Sequence, residues 1–305
     1  MLIYVLKRLG FLLLTLLLTS IIIFLVARWL PGDVARVILG REAGEAALQN
    51  LRQELGLNQP LPTQYVKWVA GFVTGDWGRS FSTGSEIRPL VMRRLGNSLR
   101  LALLTLGMSV PLAVGLGVLA GLKEDSLLDN VISIAALSVV GLPEFVTGLI
   151  LILILAFDLN LVPANSSISP DAGFFEILPM LILPALTATL VLLAYVARLT
   201  RAGVAAEMKR PYVRTAVLKG LPYRSVVGGH VLRNALLPTI TVAGAQIGWM
   251  VGGLVVVETL FRYPGIGSLT YSAATHKDLP LLVGCTLTIT FVFACANFLA
   301  DLLYA

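Results

Sequence analysis

Apolar residues along this chain are gathered into runs much longer than a soluble core element uses, separated by short polar stretches. Six runs are long enough to cross a bilayer as helices, at about 9–30, 97–121, 131–157, 177–200, 235–258 and 281–303. A hydrocarbon core of roughly 30 Å takes about 20 helical residues. Between the first two runs the pattern changes character. From Glu42 to Leu55, Leu48, Leu51 and Leu55 recur on one helical face. A second amphipathic pattern follows Pro62 through Tyr65, Trp68, Val69 and Phe72. Periodic apolar residues of this kind predict a small folded helical insertion over 31–96, since linkers lack them. The expected fold is an all-α membrane protein of six transmembrane helices, with that insertion between the first and second. Its units are 1–30 (N-terminus and first span), 31–96, and a five-helix core over 97–305.

Composition agrees with the pattern. Hydrophobic residues make up 57% of the 305 positions and charged residues 13%, against about 25% charged in soluble domains. The run after Met1–Arg8 is too long for a signal-peptide core and lacks a small-residue cleavage site, so it reads as a retained span. The +6 net charge is divided among loops and forms no nucleic-acid stripe. With the N-terminus in the cytoplasm, the inner pieces carry Lys7, Arg8, Lys123, Arg201, Lys209, Arg210, Arg214, Lys219, Arg224 and Arg233, while the short outer loops 158–176 and 259–280 carry only Arg262 and Lys277. That asymmetry places both termini inside. The Arg-rich 31–96 insertion faces outward, because segments this long translocate largely regardless of charge.

No catalytic motif is present. The sequence contains no Gly-Lys pair and hence no phosphate-binding loop, no G-x-S-x-G elbow and no H-E-x-x-H. His230 and His276 fall on opposite expected faces of the membrane, which disfavours a His-based metal site. Cys285 and Cys295 lie ten residues apart in one helix, about 15 Å, too far for a disulfide. No cofactor is expected, and any motive power must come from another chain.

The most informative polar stretch is Pro211-Tyr-Val-Arg-Thr-Ala-Val-Leu-Lys-Gly220-Leu-Pro222 within the inner loop 201–233. Pro211 suits a first helical position, Gly220 a left-handed stop, and Pro222 forbids continuation. A rod of about 13 Å is too short to cross a bilayer and marginal alone. By spacing alone it is either a basic helix on anionic lipid or an element that docks into a partner. Tyr212, Val213, Ala216 and Val217 would form its apolar face, with Arg214 and Lys219 steering it.

Arg214-Thr215-Ala216-x-x-x-Gly220 resembles the cytoplasmic coupling loop of ABC-importer permeases of the dipeptide, oligopeptide and nickel uptake family. The likeness continues in His230-x-Leu-Arg-Asn234-Ala-Leu-Leu-Pro238, Val255-Val-Val-Glu258-Thr-Leu-Phe261, Tyr263-Pro-Gly-Ile-Gly267 and Asn297-Phe-Leu-Ala-Asp-Leu-Leu-Tyr304. Upstream it includes Leu30-Pro-Gly-Asp33, Leu55-Gly-Leu-Asn-Gln-Pro60 and Gly75-Asp-Trp-Gly78. Relatives often carry Asp where this chain has Pro211, which exchanges a carboxylate cap for a pre-organised first turn. The resemblance implies the permease subunit of an ATP-driven importer in a bacterial cytoplasmic membrane. It implies two ATP-binding subunits, a second homologous permease, an extracytoplasmic solute-binding protein, and no nucleic acid. Dipeptides or oligopeptides are the expected cargo, with nickel or its chelates, glutathione, opines and oligosaccharides as alternatives. The coupling residues it implies are Pro211, Tyr212, Val213, Arg214, Thr215, Ala216, Lys219 and Gly220.

Polar residues within spans are candidates for the pathway. Glu144, near the middle of the third run beside Pro143, is costly at that depth and expected to face a cavity or a partner. It would either meet a cationic ligand group or serve helix packing. Gln246, Trp249 and Asn297 either line the pathway or act between helices. Gly244, Gly248, Gly252 and Gly253 are expected to permit close packing. Glu258 should hold the 263–267 turn, with Arg262 as its candidate partner, and Arg28 should snorkel to the interface. Two other classes remain open: a secondary transporter, which would show internal repeats and ionisable relays, and an intramembrane enzyme.

Overall fold

The computed structural model describes residues 2–29, 36, 39, 43–54, 57–168 and 173–304. The expected motif at 30–33 and most of 30–42 lie outside the described residues, as do Leu55 and the side chains of Arg28 and Leu51. The first apolar run forms α1 (Leu2–Trp29). Two shorter helices follow, α2 (Glu45–Glu54) and α3 (Leu61–Thr74), where the amphipathic patterns predict them. Leu48 of α2 is fully buried. Next come α4 (Ile87–Leu122), α5 (Leu127–Gly141) and α6 (Glu144–Asp158), the last ending in π geometry. The chain then forms α7 (Phe174–Met208), α8 (Pro211–Leu218) and α9 (Tyr223–Ala235). It ends in α10 (Leu237–Gly253), α11 (Val255–Leu260), α12 (Ile266–Thr275) and α13 (Leu279–Tyr304).

Four of these helices are long and apolar enough to cross a membrane, and there are six spans if each of two bent pairs counts as one. The first pair is a correction to the straight third run. α5 and α6 meet at 105°, because Pro143 pushes Leu142 into extended backbone (φ −92°, ψ 134°). The second pair, α9 and α10, bends by 47° at Leu236, just before Pro238. The second run begins earlier than its apolar residues indicate. α4 is helical from Ile87, ten residues before the expected span, since Arg88, Arg93 and Arg94 ride on its polar extension. α7 likewise continues past 200 to Met208. At about 1.5 Å per residue it is some 50 Å long, well beyond the bilayer core, and its far end carries the loop bearing α8.

The bundle is centred on α4 against α7. A Cβ on Gly117 or Gly121 would collide with the backbone of α7 at Ala197 and Arg201, at 2.5 and 2.8 Å. Small residues let two helices approach this closely where lipid gives no hydrophobic drive to pack. Leu101, Leu181, Leu183, Val196, Met250, Leu254 and Phe261 fill the core around that contact. Gly248 and Gly252 of α10 face Phe293 and Ile289 of α13, as close-packing glycines should. Gly253 instead lies under its own helix's Trp249.

Glu258 does hold the 263–267 turn, but through different partners from the one expected. Its buried carboxylate accepts from Ser98 Oγ of α4 (2.5 Å) and from Ser268 N (2.9 Å). Ser98 in turn accepts from Ile266 N at 2.8 Å. Asn97 donates to Pro264 O (2.9 Å) while Tyr263 OH donates to Asn97 O (2.8 Å). Arg262, exposed and at φ 53°, makes no ion pair among the described residues. A carboxylate so enclosed is satisfied by neutral donors on a neighbouring helix.

Candidate functional site

α8 follows the end of α7 as a separate short helix, with caps its sequence dictates. Pro211 occupies its first turn, after Arg210 in extended backbone. At the other end Gly220 takes φ +78°. Gly220 N donates to Val217 O (2.9 Å) and Leu221 N to Ala216 O (3.3 Å). This is the paired bonding of a Schellman stop, and Pro222 then directs the chain away.

The expected apolar face of α8 is divided between two directions. Val213 and Ala216 are buried, packed on Val204 of α7 and on Val226, Val231 and Ala235 of α9. They fix the loop to its own bundle and are not available to a partner. Tyr212 does the same by hydrogen bonding, its OH donating to Glu207 Oε2 (2.7 Å) and accepting from Asn234 Nδ2 (3.3 Å). Burial first, then the neighbouring carboxylate, raises the Tyr212 phenol above its ordinary range. The outward side carries Arg214, Thr215, Val217 and Lys219, joined by Leu218, Leu221 and Tyr223. Val217, Leu218 and Tyr223 are 54%, 78% and 56% exposed. Arg214 and Lys219 form no ion pair among the described residues. Leu218 and Tyr223 were legible in principle: Leu218 is four residues after Arg214, on the face opposite Val213 and Ala216.

The loop's base is clamped by an element that sequence reasoning missed. Asp129, in the first turn of α5, is buried and receives a two-pronged contact from Arg201 of α7 (2.5 and 2.6 Å). Asp125 N and Ser133 Oγ complete its shell at 3.0 and 3.2 Å. Lys209 reaches Glu124 at 2.7 Å alongside. The α4–α5 turn therefore grips α7 just above α8, in the geometry by which arginine binds carboxylates most firmly. A lone Asp after Ser126 reads in sequence only as a helix start.

Residues 113–305 match the family described as the binding-protein-dependent transport system inner membrane component. Residues 1–102 match the N-terminal membrane component of the same systems. The chain belongs to this family. It is thus an ABC-importer permease, a membrane component and not an enzyme. A probable peptide ABC transporter permease protein of Sinorhizobium fredii is 36% identical over 304 residues, 99% of this chain and 96% of the relative. A putative peptide transport system permease protein of Brucella abortus is 34% identical over 300 residues, 98% and 96% of the two chains. A glutathione transport system permease protein of Escherichia coli is 34% identical over 305 residues, 100% and 97% of the two.

In this permease the four candidate pathway residues lie on three elements. Glu144 is not in the middle of a straight span. It opens α6 directly after the bend and is half-buried. Gln246 is half-buried and Trp249 exposed, both on α10. Asn297 of α13 donates to Phe293 O at 2.9 Å and lines a small cavity with Arg8, Phe11 and Asp301, where α1 packs on α13. No hydrogen bond or ion pair among the described residues joins one of these four to another.

Proposed function

We propose that this permease is one half of a peptide-importing channel, six-spanning, with both termini and the 201–233 loop in the cytoplasm and the 31–96 segment outside. The observation that carries the reading is α8. It is locked to its own bundle through Val213, Ala216 and Tyr212, yet turns unpaired cations and bare Val217, Leu218 and Tyr223 outward. Exposed apolar residues on a rigid, charged knob are what a partner's groove would cover. The partners are two ATP-binding subunits beneath, a second homologous permease forming a heterodimer alongside, and a solute-binding protein delivering cargo to the outer face. ATP-driven movement of the docked knob would pull α7 and, through Arg201–Asp129, α5 with it. Such rigid-body motion opens the bundle to alternate sides.

Peptides are the cargo class supported by relatives named for peptide and for glutathione transport, glutathione being itself a tripeptide. Under this reading Glu144, Gln246, Trp249 and Asn297 are candidates for the route, with Glu144 meeting a peptide's amino group. The test is uptake of labelled di- and tripeptides by proteoliposomes containing the full complex with its binding protein. Uptake should require ATP and the binding protein, and should persist without an ion gradient. Uptake that follows an ion gradient and ignores ATP would identify a secondary transporter instead.

A further inference from the structure

Two cavities on the flank of the bundle share a wall. One is apolar, about 520 Å³, and lies between α1, α3 and α13, lined among others by Leu17, Trp68, Phe72, Val73 and Phe291. The other is polar, about 420 Å³, and is lined by Asp76, Arg79, Glu86 and Arg88 at the turn between α3 and α4. Trp77 and Met92 line both, so the two form one amphiphilic cleft.

Phe24, Tyr65, Trp68, Phe72 and Trp77 form a continuous aromatic series, with Phe72 and Trp77 stacked at 4.2 Å. The Trp77 indole N–H is spent on Phe72 O (2.9 Å), which leaves its ring as an apolar partition. Ser20 of α1 and Tyr65 of α3 satisfy each other at 2.7 Å. The Arg88 guanidinium rests on the turn at Gly75 (φ +95°), where any Cβ would collide with it. None of Asp76, Arg79, Glu86 and Arg88 forms an ion pair among the described residues.

Depth and charge select the occupant. The apolar slot reaches Phe291, twelve residues into α13, or about 18 Å at 1.5 Å per residue. That is close to one leaflet of a hydrocarbon core of roughly 30 Å. Aromatic residues of this kind favour the membrane interface, and the polar cavity lies just beyond them. It offers two guanidinium groups for a phosphate and two carboxylates for an amine, a set with no net charge. We infer that this cleft holds one phospholipid with a zwitterionic aminophosphate headgroup of the phosphatidylethanolamine type. Its phosphate lies at Arg79 and Arg88, its ammonium at Asp76 and Glu86, and one acyl chain in the slot beside α1. The bound lipid would then splint α3 to α1 and α13. On the orientation proposed above it belongs to the outer leaflet, but the site itself does not depend on cargo or ATP coupling.

The test uses the assembled complex with the full-length chain in nanodiscs. These contain a small fraction of phosphatidylethanolamine bearing a photoactivatable diazirine late in one acyl chain, and adducts are mapped by mass spectrometry after illumination. Adducts should concentrate on 65–77 and 287–291 relative to the opposite face of α1 at Leu18 and Ile22. Arg79→Gln combined with Arg88→Gln should lower that enrichment at least about fivefold, the scale of one cationic contact to lipid phosphate. Both arginines are exposed, so the double variant should still fold and assemble into the complex. Val69→Trp, filling the slot from α3, should lower the same adducts with the headgroup residues intact. Even labelling around α1, no response to either variant, or equal labelling by a phosphatidylglycerol or a diacylglycerol probe would each overturn the assignment.

Discussion

Single residues set the stiffness of this permease, and Asp278 shows how. Its buried carboxylate accepts from Ser80 Oγ (2.5 Å), Ser82 N (3.0 Å) and Ser82 Oγ (2.8 Å), while Oδ1 caps α13 by accepting from Leu281 N (3.3 Å). One side chain thus ties the 80–82 loop to the last helix. Burial opposes the charge, but the Ser80 and Ser82 donors outweigh it and hold the carboxyl below its ordinary value. A depressed native pKa gives stability that is complete above about pH 4, where the unfolded carboxyl is also ionised. That stability fades as pH falls through the lower native value. Hydrogen exchange of residues 79–86 should therefore stay slow down to about pH 4 and quicken below it. Asp278→Asn should quicken it at neutral pH, with a loss of about 2 kcal/mol in local opening, the scale of hydrogen bonds to a charged group. The variant should also lack the acid dependence. Unchanged exchange in the variant would remove Asp278 from this role.

At the scale of elements, the sequence announces apolar runs well and helix ends poorly. The six runs and the two amphipathic helices were visible because burial in lipid and burial at an interface leave different periodicities. The ends were not, because α4 begins among arginines and α7 finishes among charged residues beyond the bilayer. The α5–α6 bend was written in Pro143, yet a proline in a span can also be tolerated by re-satisfied backbone groups, so its angle had to be seen. The coupling candidate was legible as a helix with a stop at Gly220. Which of its two valines it buries was not, since Val213 and Val217 look alike in sequence and only packing on Val204 and Val231 separates them. The central contact supplies its own prediction. Gly117→Val would push against Ala197 O and Thr200 and should cost about 1–3 kcal/mol by overpacking. A lowered thermal midpoint in detergent should report it, whereas a similar change at Gly107, where a Cβ meets open space, should be mild. Equal effects at the two glycines would mean that α4 and α7 do not pack as described.

The molecule as a whole reads as a relay. A knob at the far end of α7 is fixed inward by Val213, Ala216 and Tyr212, gripped above by Asp129–Arg201, and bare on its outer side. Force applied to α8 must therefore travel into α7 and α5, because the loop has too many internal contacts to yield alone. The most direct test places single cysteines at Leu218 and, separately, at Val213 in the full transporter and crosslinks each to its neighbours with a short bifunctional reagent. Leu218→Cys should capture an ATP-hydrolysing subunit in high yield, with a yield that changes between nucleotide-free and ATP-bound complexes, while Val213→Cys captures none. Capture of lipid alone by Leu218→Cys, or capture of the ATPase from Val213→Cys in preference, would contradict the account.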